Sequence, residues 1–164
     1  MGLTMSEQFP EPREPPELQK APELPDELNF QRGRVTERFG VVAAAGYQPL
    51  PDVLLFHQAE LRLTSEELNV VLHILSHWYA PERLPFPTAK TIARRMGCGE
   101  RTVERYLTSL RKKGYLMKYP TPKGMRWRRK YHDLSPLIEK LKPLAEQRLE
   151  ARRARLREEA RALA

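Results

Sequence analysis

The sequence predicts an α+β fold that is mostly helical, and three observations predict it. A capped amphipathic helix at 64–79 is followed by a small residue, a glycine and a branched apolar residue at the spacing of two helices packed across a tight turn. Two strand-like runs then flank Pro120-Thr121-Pro122-Lys123-Gly124, a turn sequence. Net charge is +8, and residues 88–134 alone carry 14 basic and 3 acidic side chains, so one quarter of the chain holds more than the whole excess. Such focusing is the footprint of a polyanionic partner.

Composition bounds the rest. Hydrophobic residues make up 40% of the 164 residues, with no apolar run near the ~18 that a membrane span needs. Met1 to Gln8 has no basic stretch leading into an apolar one, so no secretory signal is expected and a cytoplasmic location follows. The single cysteine, Cys98, excludes an intrachain disulfide and a cysteine zinc cage, and reads as a small packed side chain.

Prolines 10, 12, 15, 16, 22 and 25 among many glutamates predict a disordered tail over 1–38. Its Pro-Glu-Leu repeats at 16–18 and 22–24 suit an acidic spacer better than a docking motif for a protein partner. Residues 39–134 are the expected globular domain. Val41 and Val42 begin a strand-like run, and Asp52 to Glu60 reads as a short helix with Val53, Leu54, Phe56 and Leu61 on its apolar side.

Thr64 or Ser65 caps the next helix, with Glu66 and Glu67 in its first turn. Leu68, Val71, Leu72, Leu75, Trp78 and Tyr79 recur on one side. Thr88 caps a helix over Ala89 to Met96, broken by Gly97-Cys98-Gly99. A third helix runs from Glu100 to about Lys113 and ends at Gly114. Tyr115–Tyr119 and Met125–His132 are the strands. Ser135 caps a basic C-terminal helix over 135–164, with Pro136 at its first position and Pro143 expected to kink or interrupt it.

The order helix, helix, turn, helix, strand, turn, strand is that of a winged helix-turn-helix with a two-stranded wing. Ala93 allows close helix crossing, Gly97 supplies the turn, and Val103 faces inward. Ile92, Met96 and Leu107 complete that small core. On the third helix Val103, Tyr106, Leu107 and Leu110 point inward. Arg101, Thr102, Arg105 and Ser109 fall opposite, with Thr108 at the border. A helix presenting arginine and threonine near its N-terminus suits the major groove of duplex DNA, where arginine pairs with guanine. Thr88 and Lys90 join these as candidate contacts. Along Met125 to Tyr131, alternation puts Trp127, Arg129 and Tyr131 on one face and Arg126, Arg128 and Lys130 on the other. With Lys123 at the tip, that second face suits phosphates.

Gly46-Tyr47-Gln48-Pro49-Leu50-Pro51, Leu63-Thr64-Ser65-Glu66-Glu67-Leu68, Thr91-Ile92-Ala93-Arg94-Arg95-Met96-Gly97, Glu100-Arg101-Thr102-Val103-Glu104-Arg105-Tyr106-Leu107 and Tyr131-His132-Asp133-Leu134-Ser135-Pro136-Leu137 run through residues 40–142. That stretch resembles the winged-helix domains of plasmid and phage replication initiators and related transcriptional regulators. The resemblance implies double-stranded DNA binding through the third helix and the wing. Gly99 departs from the family's usual serine or threonine cap, at a cost of only a few tenths of a kcal/mol.

Other signals are weaker. His73 and His77 lie four apart on the polar side with Asn69 and Ser76, without a third metal ligand, and read as exposed histidines. No nucleophile, base and oxyanion set is apparent and no phosphate-cradling glycine motif occurs, so neither an enzyme nor a cofactor is expected. Leu149, Leu156 and Leu163 lie seven apart, the spacing of a coiled-coil seam that would give a homodimer. Arg152, Arg153 and Ala160 interrupt it, which favours a solvated basic helix, with dimerisation through the N-terminal strand as the other route. The alternative to DNA binding is a protein-interaction adaptor that uses the winged helix to dock another protein.

Overall fold

The computed structural model describes residues 35–80, 83–120 and 129–163. They fall into two units, Met1–Tyr47 and Gln48–Ala164. In the first, residues 35–39 are helical, overlapping the end of the stretch expected to be a tail, and α1 (Val41–Ala44) follows Gly40 at φ 49°. The strand expected at Val41 and Val42 is therefore a helical turn. β-branched residues favour a strand only where a neighbouring strand offers ladder partners, and this segment has none among the described residues.

The second unit contains α2 (Asp52–Phe56), α3 (Ser65–Leu75), α4 (Ala89–Met96), α5 (Glu100–Lys112), β1 (Met117–Pro120), β2 (Lys130–Asp133) and α6 (Ser135–Ala162). One apolar core joins them. Val70, Val71, Ile74, Ile92, Val103 and Leu110 are fully buried at its centre, and Leu137 and Leu141 of α6 close it. Periodicity had pointed to Leu68, Val71 and Leu72 on α3. Val70 and Ile74 are buried as deeply as Val71 and more deeply than Leu68 or Leu72, because α3 is covered on more than one side.

Several boundaries move. α2 stops at Phe56, and the chain then turns through Leu61, with Arg62 at φ 51°. Phe56 is exposed rather than inward and carries the Arg148 guanidinium of α6 over its ring at 4.1 Å. α3 ends at Leu75, so Trp78 and Tyr79 are not helical. Trp78 still packs on the core, whereas Tyr79 is 86% exposed. The first wing strand begins at Met117, because Tyr115 is turned inward and donates its hydroxyl to the Leu61 carbonyl at 2.9 Å. Ser135 does not cap α6. Asp133, two residues earlier, accepts the Ser135 amide at 2.8 Å and satisfies a free helix donor instead. α6 continues through Pro143 for 28 residues, because loss of a single backbone donor is tolerated where the first turns are held by buried Leu137 and Leu141.

Thr64 caps α3 in a reciprocal box: its hydroxyl accepts the Glu67 amide at 3.2 Å, and its own amide donates to Glu67 Oε2 at 2.9 Å. Glu67 is nevertheless buried, only 2% exposed. Its carboxylate receives Lys113 Nζ from the end of α5 at 2.5 Å, and the same ammonium donates to the Arg62 carbonyl at 2.6 Å. Burial alone would raise the Glu67 carboxyl. Hydrogen bonds from Lys113, Ser109 and the Thr64 backbone, with the Lys113 charge, outweigh burial and hold it below the ordinary 4.5.

A carboxyl that ionises more easily folded than unfolded contributes stability that is complete above about 4.5 and is lost as pH falls through the lower folded value. Lys113→Met leaves a buried charge uncompensated and is expected to cost about 2–4 kcal/mol at neutral pH. Glu67→Gln should flatten the acid limb. Urea unfolding across that pH range checks both, and an unchanged midpoint for Lys113→Met would remove the contact from the account.

Candidate nucleic-acid interface

The Thr88 hydroxyl accepts the Thr91 amide at 3.1 Å and starts α4. Gly97 ends it at φ 66°, where a Cβ would be strained, and the Gly97 and Cys98 amides close on the Ala93 carbonyl. Gly99 begins α5 in extended conformation with no side-chain cap. Ala93 and Val103 are buried where the helices meet. Cys98 is exposed at the bend, not packed, because the turn points its side chain away from the crossing.

The α5 surface divides as its sequence does. Val103, Leu107 and Leu110 are buried and Tyr106 is half-buried. Arg101 and Arg105 are exposed. With Ser109, Glu104, Thr108 and Lys112 they surround one shallow depression along the outer side of the helix. The ion pairs among the described residues join His57 to Glu60, Lys113 to Glu67 and Lys142 to Glu139, and none of them involves Arg101, Arg105 or Lys112. Thr102 is half-buried. Ser109 is also half-buried, and its hydroxyl serves the Glu67 carboxylate, so it faces partly inward. Lys90 is exposed on α4 and borders a separate depression with Arg94, Cys98 and Glu100.

β1 and β2 pair antiparallel, with Lys118 opposite His132 and Tyr119 opposite Tyr131. The tip residues Lys123, Arg126, Trp127 and Arg128 lie outside the described residues. Register and pleat place Lys118, Lys130 and His132 on one face. That face borders a cleft of about 860 Å³ with Arg111, Glu100, Glu104 and Thr88. Here partial burial, then the Lys130 and Arg111 charges, hold the Lys118 ammonium below its ordinary value, and Glu104 offsets them only in part. Arg129 stands over the Phe86 ring at 4.3 Å, and Tyr131 meets the same ring edge-on.

Lys112 and Lys118 were not among the residues singled out from sequence. Lys112 sits in the last turn of α5, where a cation suits the helix dipole. Lys118 becomes visible only once the strand register puts it beside Lys130.

His132 fastens the wing to the body. Its amide donates to the Pro85 carbonyl at 2.8 Å, so the loop before α4 takes the free edge of β2. Its Nε2 lies 3.1 Å from the Pro87 carbonyl and must carry the proton there, since a carbonyl only accepts. Nδ1 is buried without a partner among the described residues. Burial, assisted by Arg111, Lys118 and Lys130, pushes the imidazole below 6.5 despite the Pro87 hydrogen bond.

The pair expected to be exposed, His73 and His77, is half-buried, with His77 Nδ1 at 2.9 Å from the His73 carbonyl. No group of metal-ligating side chains occurs among the described residues. None of the described helices is long and apolar enough to cross a membrane.

Comparison with known proteins gives one family match: residues 61–116 fit the model of a helix-turn-helix domain. No curated protein matches the sequence. Among solved structures, the chain is similar to the N-terminal domain of DnaD protein from Geobacillus kaustophilus. Identity there is 27%, over 77% of this chain and 96% of that one, with a TM-score of 0.48. A possible transcriptional regulator from Methanosarcina mazei is 15% identical over 65% of this chain and 85% of that one, at 0.40.

A histidine whose value is depressed on folding contributes stability that is lost as pH drops below 6.5 through the folded value, because the unfolded chain takes up the proton first. The melting temperature should therefore fall as pH drops below 6.5. His132→Gln, which keeps a donor for Pro87 and cannot titrate, should reduce that slope and leave the part that belongs to His73, which burial also holds below 6.5. A melting curve series that keeps its slope in the variant assigns the effect elsewhere.

Proposed function

From a chain whose residues 61–116 form a helix-turn-helix domain, we propose sequence-specific binding of double-stranded DNA without catalysis or a cofactor. The observation that carries this is the outer side of α5, where Arg101 and Arg105 stand exposed with no acidic side chain among the described residues holding either. Folding does not account for charges placed so, and a major groove does.

In this reading α5 enters the groove. Arg101 and Arg105 reach base edges, and Thr102 and Ser109 contribute shorter contacts from the sides of the helix. Thr88, Lys90 and Lys130 meet the phosphate backbone, which fixes register without reading sequence. Lys123, Arg126 and Arg128, outside the described residues, extend the same role along the wing. Crowding of Lys118, Lys130 and Arg111 supports it, since a phosphate in that cleft would relieve their mutual repulsion.

The stretches that resemble plasmid and phage replication initiators support a mobile-element protein, acting in the cytoplasm, that marks an origin or controls transcription. The acidic N-terminal segment then serves as a spacer or protein-docking arm. Fold by itself does not separate origin marking from regulation. Mapping bound sites against neighbouring genes does.

Selection from a random duplex pool should yield a defined site. On that site Arg101→Ala or Arg105→Ala should each cost about 1–3 kcal/mol and relax preference at one base position. Lys130→Ala should weaken all sequences alike and lower the salt slope by about 0.9. If both arginines can be removed with no loss, the assignment of α5 fails. A flat salt response with no selectable site would favour the protein-docking adaptor instead.

A further inference from the structure

The second half of α6 has no role in the core. Leu137 and Leu141 are buried and Leu144 is partly so, but beyond Ala145 every described residue except Ala154 is exposed. Residues 146–162 thus form about 26 Å of largely uncovered helix, with Leu163 at its cap. Leu149, Leu156 and Leu163 are 51%, 53% and 90% exposed at a spacing of seven. A groove of about 470 Å³ along this side is bordered by Glu146, Leu149, Glu150, Arg153 and Arg157.

We propose that this segment pairs with the same segment of a second copy as an antiparallel two-helix coiled coil, so that the protein is a dimer joined through its C-terminal helices. With the leucines at the d positions, the a positions are Glu146, Arg153 and Ala160, the e positions Glu150 and Arg157, and the g positions Arg152 and Glu159. The charges choose the direction.

In a parallel pair Arg153 meets the partner's Arg153 in the seam, and Arg152 at g meets the partner's Arg157 at e. Both contacts repel. In an antiparallel pair each a residue faces a d leucine. Arg153 lies against the partner's Leu156, where its methylene stem covers the leucine and its head reaches water. Ala160 lies against the partner's Leu149. The e positions now face each other, bringing Glu150 to the partner's Arg157, and the g positions bring Arg152 to the partner's Glu159. The two-fold axis repeats both pairs. One register therefore satisfies the leucine spacing and makes all four flanking pairs attractive.

A seam of three leucines from each copy is short, so the equilibrium should sit in the micromolar range and respond to salt. Sedimentation equilibrium of the full chain from about 1 to 200 µM should show a monomer–dimer equilibrium. Leu156→Lys should abolish the dimer while leaving the helical circular dichroism of the domain intact. Glu150→Arg should weaken it about fivefold, as should Arg157→Glu, and the double exchange should restore it.

Direction is read by disulfide trapping on a Cys98→Ser background. Leu149→Cys should cross-link poorly with itself and well when mixed with Ala160→Cys. A chain that stays monomeric at the highest concentration overturns the proposal. So does a dimer that persists in Leu156→Lys, or Leu149→Cys cross-linking chiefly to itself. None of these results depends on DNA, so they can fail while the DNA-binding reading stands.

Discussion

The contact between the buried Glu67 carboxylate and the partly exposed Lys113 ammonium ties the helix that carries Arg101 and Arg105 to the core. The carboxylate ends the N-terminal cap of α3, and the ammonium ends α5. One charge pair thus fixes the start of the central core helix against the finish of the helix that carries Arg101 and Arg105. Burying either charge alone would be costly, and with its partner present each is satisfied by several hydrogen bonds. A shift of α5 along its axis would break that set at once. Apolar packing around Val103, Leu107 and Leu110 tolerates small slides, whereas a hydrogen-bonded ion pair does not.

The wing is held by a different device. β2 presents one edge to β1 and the other to the carbonyls of Pro85 and Pro87, and the neutral His132 ring is the bolt. A two-stranded ribbon alone is marginal in water, so this second attachment sets where Lys118 and Lys130 stand relative to α5. The cationic cleft is therefore a product of wing docking rather than of either element separately. Burial first, then the Lys130 and Arg111 charges, hold the Lys118 ammonium there below its ordinary value. α6 follows the same division of labour: its first turns complete the core, and its later turns are free to meet another surface.

Much of this was readable from the residues. The pattern at Ala93, Gly97 and Val103 located the helix-turn-helix, since only glycine takes a positive φ cheaply and only a small side chain permits the crossing. The division of α5 into an apolar and a polar side followed from helical spacing and held except at Ser109, which turns partly inward to Glu67. Other expectations failed where a neighbour decided. Val41 and Val42 read as a strand but had no strand to pair with. Phe56 read as core yet lies under Arg148 at the surface. Ser135 read as a cap, although Asp133 two residues earlier reached the helix donor first.

By itself the sequence determined the helices from Asp52 onward, where the tight turn lies, and which side of α5 is mostly polar. These depend on side chains a few residues apart, and periodicity and capping report them directly. Tertiary structure alone decided that Glu67 is buried against Lys113, that Lys118 joins Lys130 and Arg111, and that His132 is neutral and bonded to Pro87. Each of those pairings brings together residues far apart along the chain, and the burial that gives them their strength comes only from the packed core.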